Sequence, residues 1–175
     1  MESEAMAITF GSLCMRCARR GRTCCQGTEI YVTARDVDRI REVLQREDFY
    51  EYREPENPAY ADQDDDPLWQ TWVTAAHRPR RVLKHVGRGN CLFLTAAGCA
   101  LPLEVRPLIC RLHPHIYNHL GLYPEISSDC PLDLLQPEER IEELIQGFDR
   151  DSTLRWHHML YEEIRQEENR SWTSD

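Results

Sequence analysis

The sequence predicts an α+β domain: a small β element with cysteine-rich knuckle loops and a pair of helices towards the C-terminal end. Three observations predict it. Alternating or turn-punctuated runs occur at 29–33 and 82–94, apolar residues recur at helical spacing through 137–170, and cysteines occupy the polar, turn-rich stretches between. With 175 residues, 41% hydrophobic and 29% charged, the chain has the size and composition of one globular domain.

The elements follow in order. Residues 14–27 read CMRCARRGRTCCQG, arginine-rich and glycine-punctuated, which predicts a loop or knuckle. The stretch EIYVT at 29–33 alternates as a strand does. Thr33 and Asp36 form a capping signal for a helix to about Arg46, with Val37, Ile40 and Leu44 on its core face. Residues 47–66 hold nine acids against Arg53 alone, with prolines and no apolar period, and so predict a solvated acidic insertion. Among them Asp62, Asp64, Asp65 and Asp66 lack the glycine and terminal glutamate of a calcium loop. An aromatic helix is expected over 68–76, burying Trp69, Trp72 and Val73. Two strands joined at Gly87-Arg88-Gly89-Asn90 follow. A helix from Pro102 would present Val105, Leu108, Ile109 and Leu112, with Pro107 in its first turn or at a kink. Pro137-Glu138-Glu139 opens a helix carrying Ile141, Leu144, Ile145 and Phe148. The last helix, about 152–168, carries Leu160, Tyr161 and Ile164.

Charge and motifs exclude several functions. The net charge of −9 comes almost entirely from the acidic insertion, so charge-driven nucleic-acid binding is not expected. No apolar run reaches membrane-spanning length, and the acidic start MESEAMAITFG is unlike a signal peptide, so the expected compartment is the cytoplasm. HExxH, a phosphate-cradling glycine loop and G-x-S-x-G are all missing. His113, His115, His119, His157 and His158 read as packing or surface groups, and Ser127-Ser128-Asp129 carries no triad pattern.

The eight cysteines are the unusual feature. In a reducing compartment thiols stay free, and grouped free thiols are metal ligands or redox groups. Cys14-x2-Cys17 has chelating spacing, because two intervening residues let both sulfurs face one ion. Cys24 and Cys25 lie in the same polar stretch and serve one ion only in a tight turn, or else feed two neighbouring metals. Cys91, Cys99, Cys110 and Cys130 fall in or beside turn-rich sequence downstream. Eight thiols can make two four-sulfur sites or one polynuclear cluster. Arg16, Arg19, Arg20 and Arg22 interleave the first group, while Arg106 and Arg111 flank Cys110 and are expected to offset the charge of a metal thiolate.

These motifs, with Cys91-Leu-Phe-Leu, Gly98-Cys99, Arg106-Pro107, Cys110-Arg111 and Pro114 in this order, resemble the cysteine-cluster (CxxCxxCC, YkgJ-type) family over about residues 14–131. That family is described as zinc- or iron-chelating, and most of its members have no assigned biochemical role. Six residues separate Cys17 from Cys24, where the family pattern usually has two or three. The resemblance implies that Cys14, Cys17, Cys25, Cys91, Cys99 and Cys110 belong to the cluster; the thiol count adds Cys24 and Cys130. The expectation is a metal-binding protein holding an iron–sulfur cluster, 4Fe–4S ahead of zinc, because grouped thiols without a histidine ligand suit a sulfur-only centre. The other readings are a zinc-stabilised interaction module with a protein partner, a metal buffer or thiol sensor, and a redox or protein-modifying enzyme organised by the cluster. Some longer proteins with this signature are lysine methylases of flagellin, but no methyl-donor domain is recognisable here.

Overall fold

A computed structural model describes residues 12–21, 23–57, 65–74, 78–145 and 149–171. Its helices are α1 (Leu13–Arg20), α2 (Ala34–Leu44), α3 (Pro67–Trp72), α4 (Leu108–Leu112), α5 (Ile141–Leu144) and α6 (Arg150–Ser171). Four antiparallel strand pairs accompany them: β1 (Tyr50–Arg53) with β2 (Arg80–Leu83), β3 (His85–Val86) with β4 (Asn90–Cys91), β5 (Leu94–Thr95) with β6 (Gly98–Cys99), and β7 (His115–Asn118) with β8 (Gly121–Ile126). The mixture is α+β. None of the described helices is long and apolar enough to cross a membrane.

Two apolar cores divide the work. One joins Ile30, Val32, Val37, Ile40, Phe49, Leu83, Cys91, Phe93 and Leu101, and Cys25, Cys99 and Cys110 pack against it. The other gathers Tyr31, Val73, Leu108, Leu112, Trp156, Leu160, Tyr161 and Ile164. The period of two at 29–33 explains the division, since Ile30 and Val32 face one core while Tyr31 faces the other. This segment pairs with its neighbour only through a bridge from Tyr31 to Val82, flanked by the amides of Val32 and Leu83, so it is extended rather than a full strand.

The Thr33 capping box forms as expected: its hydroxyl accepts from Asp36 N at 2.9 Å, and the Asp36 carboxylate accepts from Thr33 N at 3.1 Å. Asp36 is fully buried and has further duties. It accepts from Leu108 N (3.1 Å) at the start of α4 and from Arg39 (2.6 Å), which also reaches Glu163 of α6 at 2.7 Å. Thr33 Oγ1 donates to Glu163 at 2.5 Å, and Ala34 N donates to Glu167 at 2.7 Å. The long C-terminal helix is therefore latched onto the start of α2 and, through Asp36, onto α4.

Four expectations need correction. The predicted knuckle at 14–27 begins with the regular helix α1, because Ser12 accepts from Met15 N, Gly21 (φ 78°) closes the end, and Leu13 and Cys17, one turn apart, are both buried. The acidic stretch 47–66 is not all solvated loop: Phe49 is fully buried, residues 50–53 are strand β1 pairing Tyr50 with Leu83, and buried Asp66 caps α3. Asp62 and Asp64 lie outside the described residues. The helix expected from Pro102 is broken, since Pro107 holds Arg106 extended (φ −57°, ψ 147°) between a 3-10 turn at Leu103–Val105 and α4. The helix expected to open at Pro137 is only the four residues of α5; Phe148 falls outside the described residues. By contrast the 85–91 hairpin forms around Gly87-Arg88-Gly89, pairing His85 with Cys91 and Val86 with Asn90.

Candidate metal centre

Six elements deliver the eight cysteines. α1 carries Cys14 and Cys17, the following turn carries Cys24 and Cys25, β4 ends in Cys91, β6 ends in Cys99, α4 holds Cys110, and a turn after β8 holds Cys130. Backbone bonds bring the early and late segments together. Cys91 N donates to Cys25 O at 2.7 Å, Gly27 N donates to Gly89 O at 2.8 Å, and Gln26 Nε2 donates to Asn90 Oδ1 at 2.8 Å. The Cys24-Cys25 turn is thereby zipped along the β3–β4 hairpin. Gly98, at φ 95°, lies against the backbone and Cβ of Cys14, close enough that an added Cβ would be in van der Waals contact (3.8 Å). The Asp36–Leu108 bond then fixes the start of the helix bearing Cys110.

The thiols feel one another. The Cys25 charge raises Cys14, Cys17, Cys24, Cys91, Cys99 and Cys110, because Cys25 is the thiol most readily ionised. Its sulfur lies 4.0 Å from that of Cys24, so the two adjacent side chains turn the same way. Cys130 interacts with Cys14 and Cys17 and flanks the group on that side. All eight are free thiols. Among the described residues no three histidine, cysteine, aspartate or glutamate side chains are already set to hold a metal ion. The sulfurs are gathered without being closed on a point.

Burial dominates their acidity. It pushes Cys91 and Cys130 up to about 11 and raises Cys99, Cys110 and Cys17, each helped by neighbouring thiols. Cys14 is raised for the same reason, although it is the solvent-exposed member and solvent tempers the effect. Cys24 and Cys25 are the exceptions: the contact between their sulfurs comes first for both, and it raises Cys24, with burial adding to it. A hydrogen bond from the Cys24 thiol, the Thr23 hydroxyl and the Arg106 charge together hold the Cys25 thiol below the ordinary value against burial.

Several groups favour thiolate at this place. The amides of Phe93 and Leu94 point at the Cys91 sulfur, and that of Leu101 points at Cys99. Arg106 acts on Cys14, Cys25 and Cys99, hydrogen-bonds Cys99, and is anchored by its Nε to Leu101 O at 2.9 Å. These donors fit a metal thiolate, which needs its negative sulfurs hydrogen-bonded and its charge offset.

The remaining arginines do other things. Arg111 is buried, donates to the carbonyls of Arg106 (2.7 Å) and Glu104 (2.6 Å), and lies 6.0 Å over the Trp156 ring. Its effect on the site runs through the Arg106 backbone. Arg16 pairs with Glu139 (2.6 Å) and Leu134 O, and Arg20 pairs with Asp133, so both tie α1 to the segment after Cys130. Arg20 also acts on Cys17, while Arg22 lies outside the described residues. Two of the histidines have polar partners away from the thiols: His157 meets Asn118 O at 2.7 Å, and His115 meets Thr153 at 3.3 Å. Thr23 was not foreseen. A threonine two residues before Cys25 that accepts its amide (3.0 Å) is a Ser/Thr-turn signal readable in the sequence.

A family model described as "CxxCxxCC: Putative zinc- or iron-chelating domain" matches residues 13–131, more than half of the chain. The chain belongs to the CxxCxxCC family. No curated protein and no solved structure matches it. The match supports metal chelation in general terms, and its bounds take in all eight cysteines of this CxxCxxCC protein while leaving out α5 and α6.

Proposed function

We propose that this CxxCxxCC protein holds an iron–sulfur cluster through its gathered thiols. One observation carries the reading: Cys91 lies in the first core with Cys25, Cys99 and Cys110 packed against it, Cys24 has its sulfur 4.0 Å from that of Cys25, and Cys14 lies against Gly98 beside Cys99. A single tetrahedral ion takes four ligands, so a group of this size has more sulfur than one zinc requires. Cys14, Cys25, Cys91, Cys99 and Cys110 are the proposed first ligands, with Cys24 beside them. Cys17 and Cys130 flank Cys14, and the three would supply three of the four sulfurs of a second site if there are two. Ligation would draw the sulfurs inward through side-chain rotation, since the backbone is already fixed by the β3–β4 zipper. Arg106 offsets the thiolate charge, and Arg111 holds the Arg106 backbone. A bound cluster would supply one-electron chemistry or a rigid crosslink between the N-terminal turn and the hairpins.

Zinc is the second reading, and a particular distance favours it. The Cys24 and Cys25 sulfurs at 4.0 Å are spaced nearly as two ligands of one tetrahedral zinc, about 3.8 Å apart for Zn–S bonds of about 2.3 Å. On that reading the protein is a zinc-stabilised module for a protein partner, or a redox or protein-modifying enzyme whose site the metal organises. Free thiols in this number suit the reducing cytoplasm on either reading. Absorption and metal analysis of anaerobically purified protein separate the two. Iron with inorganic sulfide and a broad band near about 400 nm is the expected result. Colourless protein with stoichiometric zinc overturns the iron assignment.

A further inference from the structure

A cavity of about 290 Å³, none of whose lining residues is a cysteine, opens between the β1–β2 pair, α3 and the last turns of α6. Among the described residues, three aromatic side chains (Tyr31, Tyr52 and Trp72) and three arginines (Arg78, Arg80 and Arg81) line it, with Glu167 as the one carboxylate. Tyr31 is buried and held edge-on against Trp69, ring centres 5.8 Å apart, so this wall is fixed. Arg81 lies 6.0 Å over the Tyr52 ring, and Arg78 lies 5.9 Å over the Trp72 ring.

The charges here are unevenly spent. Arg81 pairs with Glu167, and Arg80, with its side chain 4% exposed, pairs with Glu29 at 2.7 Å. Among the described residues no carboxylate pairs with Arg78, which is exposed at the rim with its guanidinium 5.9 Å from the centre of the Trp72 ring. Among the described residues the lining therefore carries one positive charge without a carboxylate partner, near aromatic rings, in a chain whose net charge is −9. A guanidinium facing a ring at this distance keeps its N–H donors free for a planar carboxylate, which they match as a fork. The volume is about twice that of an apolar cavity that holds benzene, roughly 150 Å³, and stands at the small end of ligand pockets, about 300 Å³ upwards.

We propose that this cavity binds a small aromatic monocarboxylate of one or two fused rings, the carboxylate on Arg78 and the ring between Trp72 and Tyr52. The proposal is independent of the metal reading. A monoanion is specified rather than a phosphate dianion, because Glu167 and Glu29 have already neutralised the other two arginines. Ring and charge are both required.

The test uses the full chain, with indole-3-carboxylate as probe, by isothermal calorimetry and saturation-transfer NMR. Cyclohexanecarboxylate (charge without a ring face) and indole-3-carboxamide (ring without charge) serve as controls. The proposal expects indole-3-carboxylate to bind at about 1 mM or tighter. It expects both controls and the Arg78→Gln variant to bind at least about tenfold more weakly. Arg78 is exposed, so its replacement leaves the fold intact, which far-UV circular dichroism and an unchanged metal content verify. Binding weaker than about 1 mM, equal binding of either control, or undiminished binding by Arg78→Gln overturns it.

Discussion

At the scale of single residues, Cys25 and Arg106 carry the site. Cys25 packs on the first core beside Cys91 and is the thiol whose acidity is favoured, so Cys25→Ser should lose most of the bound metal and lower thermal stability together. Metal analysis beside a melting curve checks this; full metal retention in the variant would contradict it. Arg106→Ala removes the guanidinium facing Cys14, Cys25 and Cys99, and metal affinity should fall by about tenfold or more, as it does for lost outer-sphere partners. Arg111→Ala should act differently. It strips a buried cation from two carbonyls and Trp156, so stability falls first and metal affinity only as a consequence. The cysteine spacing and the flanking arginines were legible in the chain because thiols grouped in polar sequence have few other uses. The division of labour between Arg106 and Arg111 was not, because the two differ only in which way the chain turns after Pro107.

At the scale of elements, the site depends on how α2, α4 and α6 are latched. Asp36 ties the cap of α2 to the first amide of α4 and, through Arg39, to Glu163 of α6. Asp36→Ala would leave the buried amides of Thr33 and Leu108 without their acceptor and Arg39 with Glu163 alone, and should cost about 3 kcal/mol or more in a denaturant titration. Leu160 is fully buried between α6 and the second core, and Leu160→Ala should cost about 2–5 kcal/mol with little change in metal content of the folded fraction. The Thr33–Asp36 cap, the α2 face and the Gly87–Gly89 turn could be read from sequence because they are short-range patterns. Strand β1 could not: Tyr50–Arg53 is surrounded by acids, and only its partner 30 residues later makes it a strand. Helix α1 was hidden by its composition, although Ser12 and Gly21 marked both of its ends.

At the scale of the whole molecule, the fold is two cores sharing the extended segment around Tyr31. The thiol group borders the core of Val32, Phe49 and Phe93, while α6 closes the other. Metal binding should accordingly stabilise the first core most directly, and chelation should loosen the hairpins before it unwinds α6. Amide exchange resolved along the chain tests that order; simultaneous loss of protection everywhere would contradict it. The most direct test of thiol-held metal is a count of reactive thiols in reduced, anaerobic, native protein before and after a strong chelator, with released metal measured in the same cuvette. The account predicts that Cys14, Cys25, Cys91, Cys99 and Cys110 stay unreactive until chelation and then react as metal appears in solution in fixed proportion to protein. If every cysteine reacts at once without chelator and no metal is released, the thiols do not hold a metal and the account is wrong.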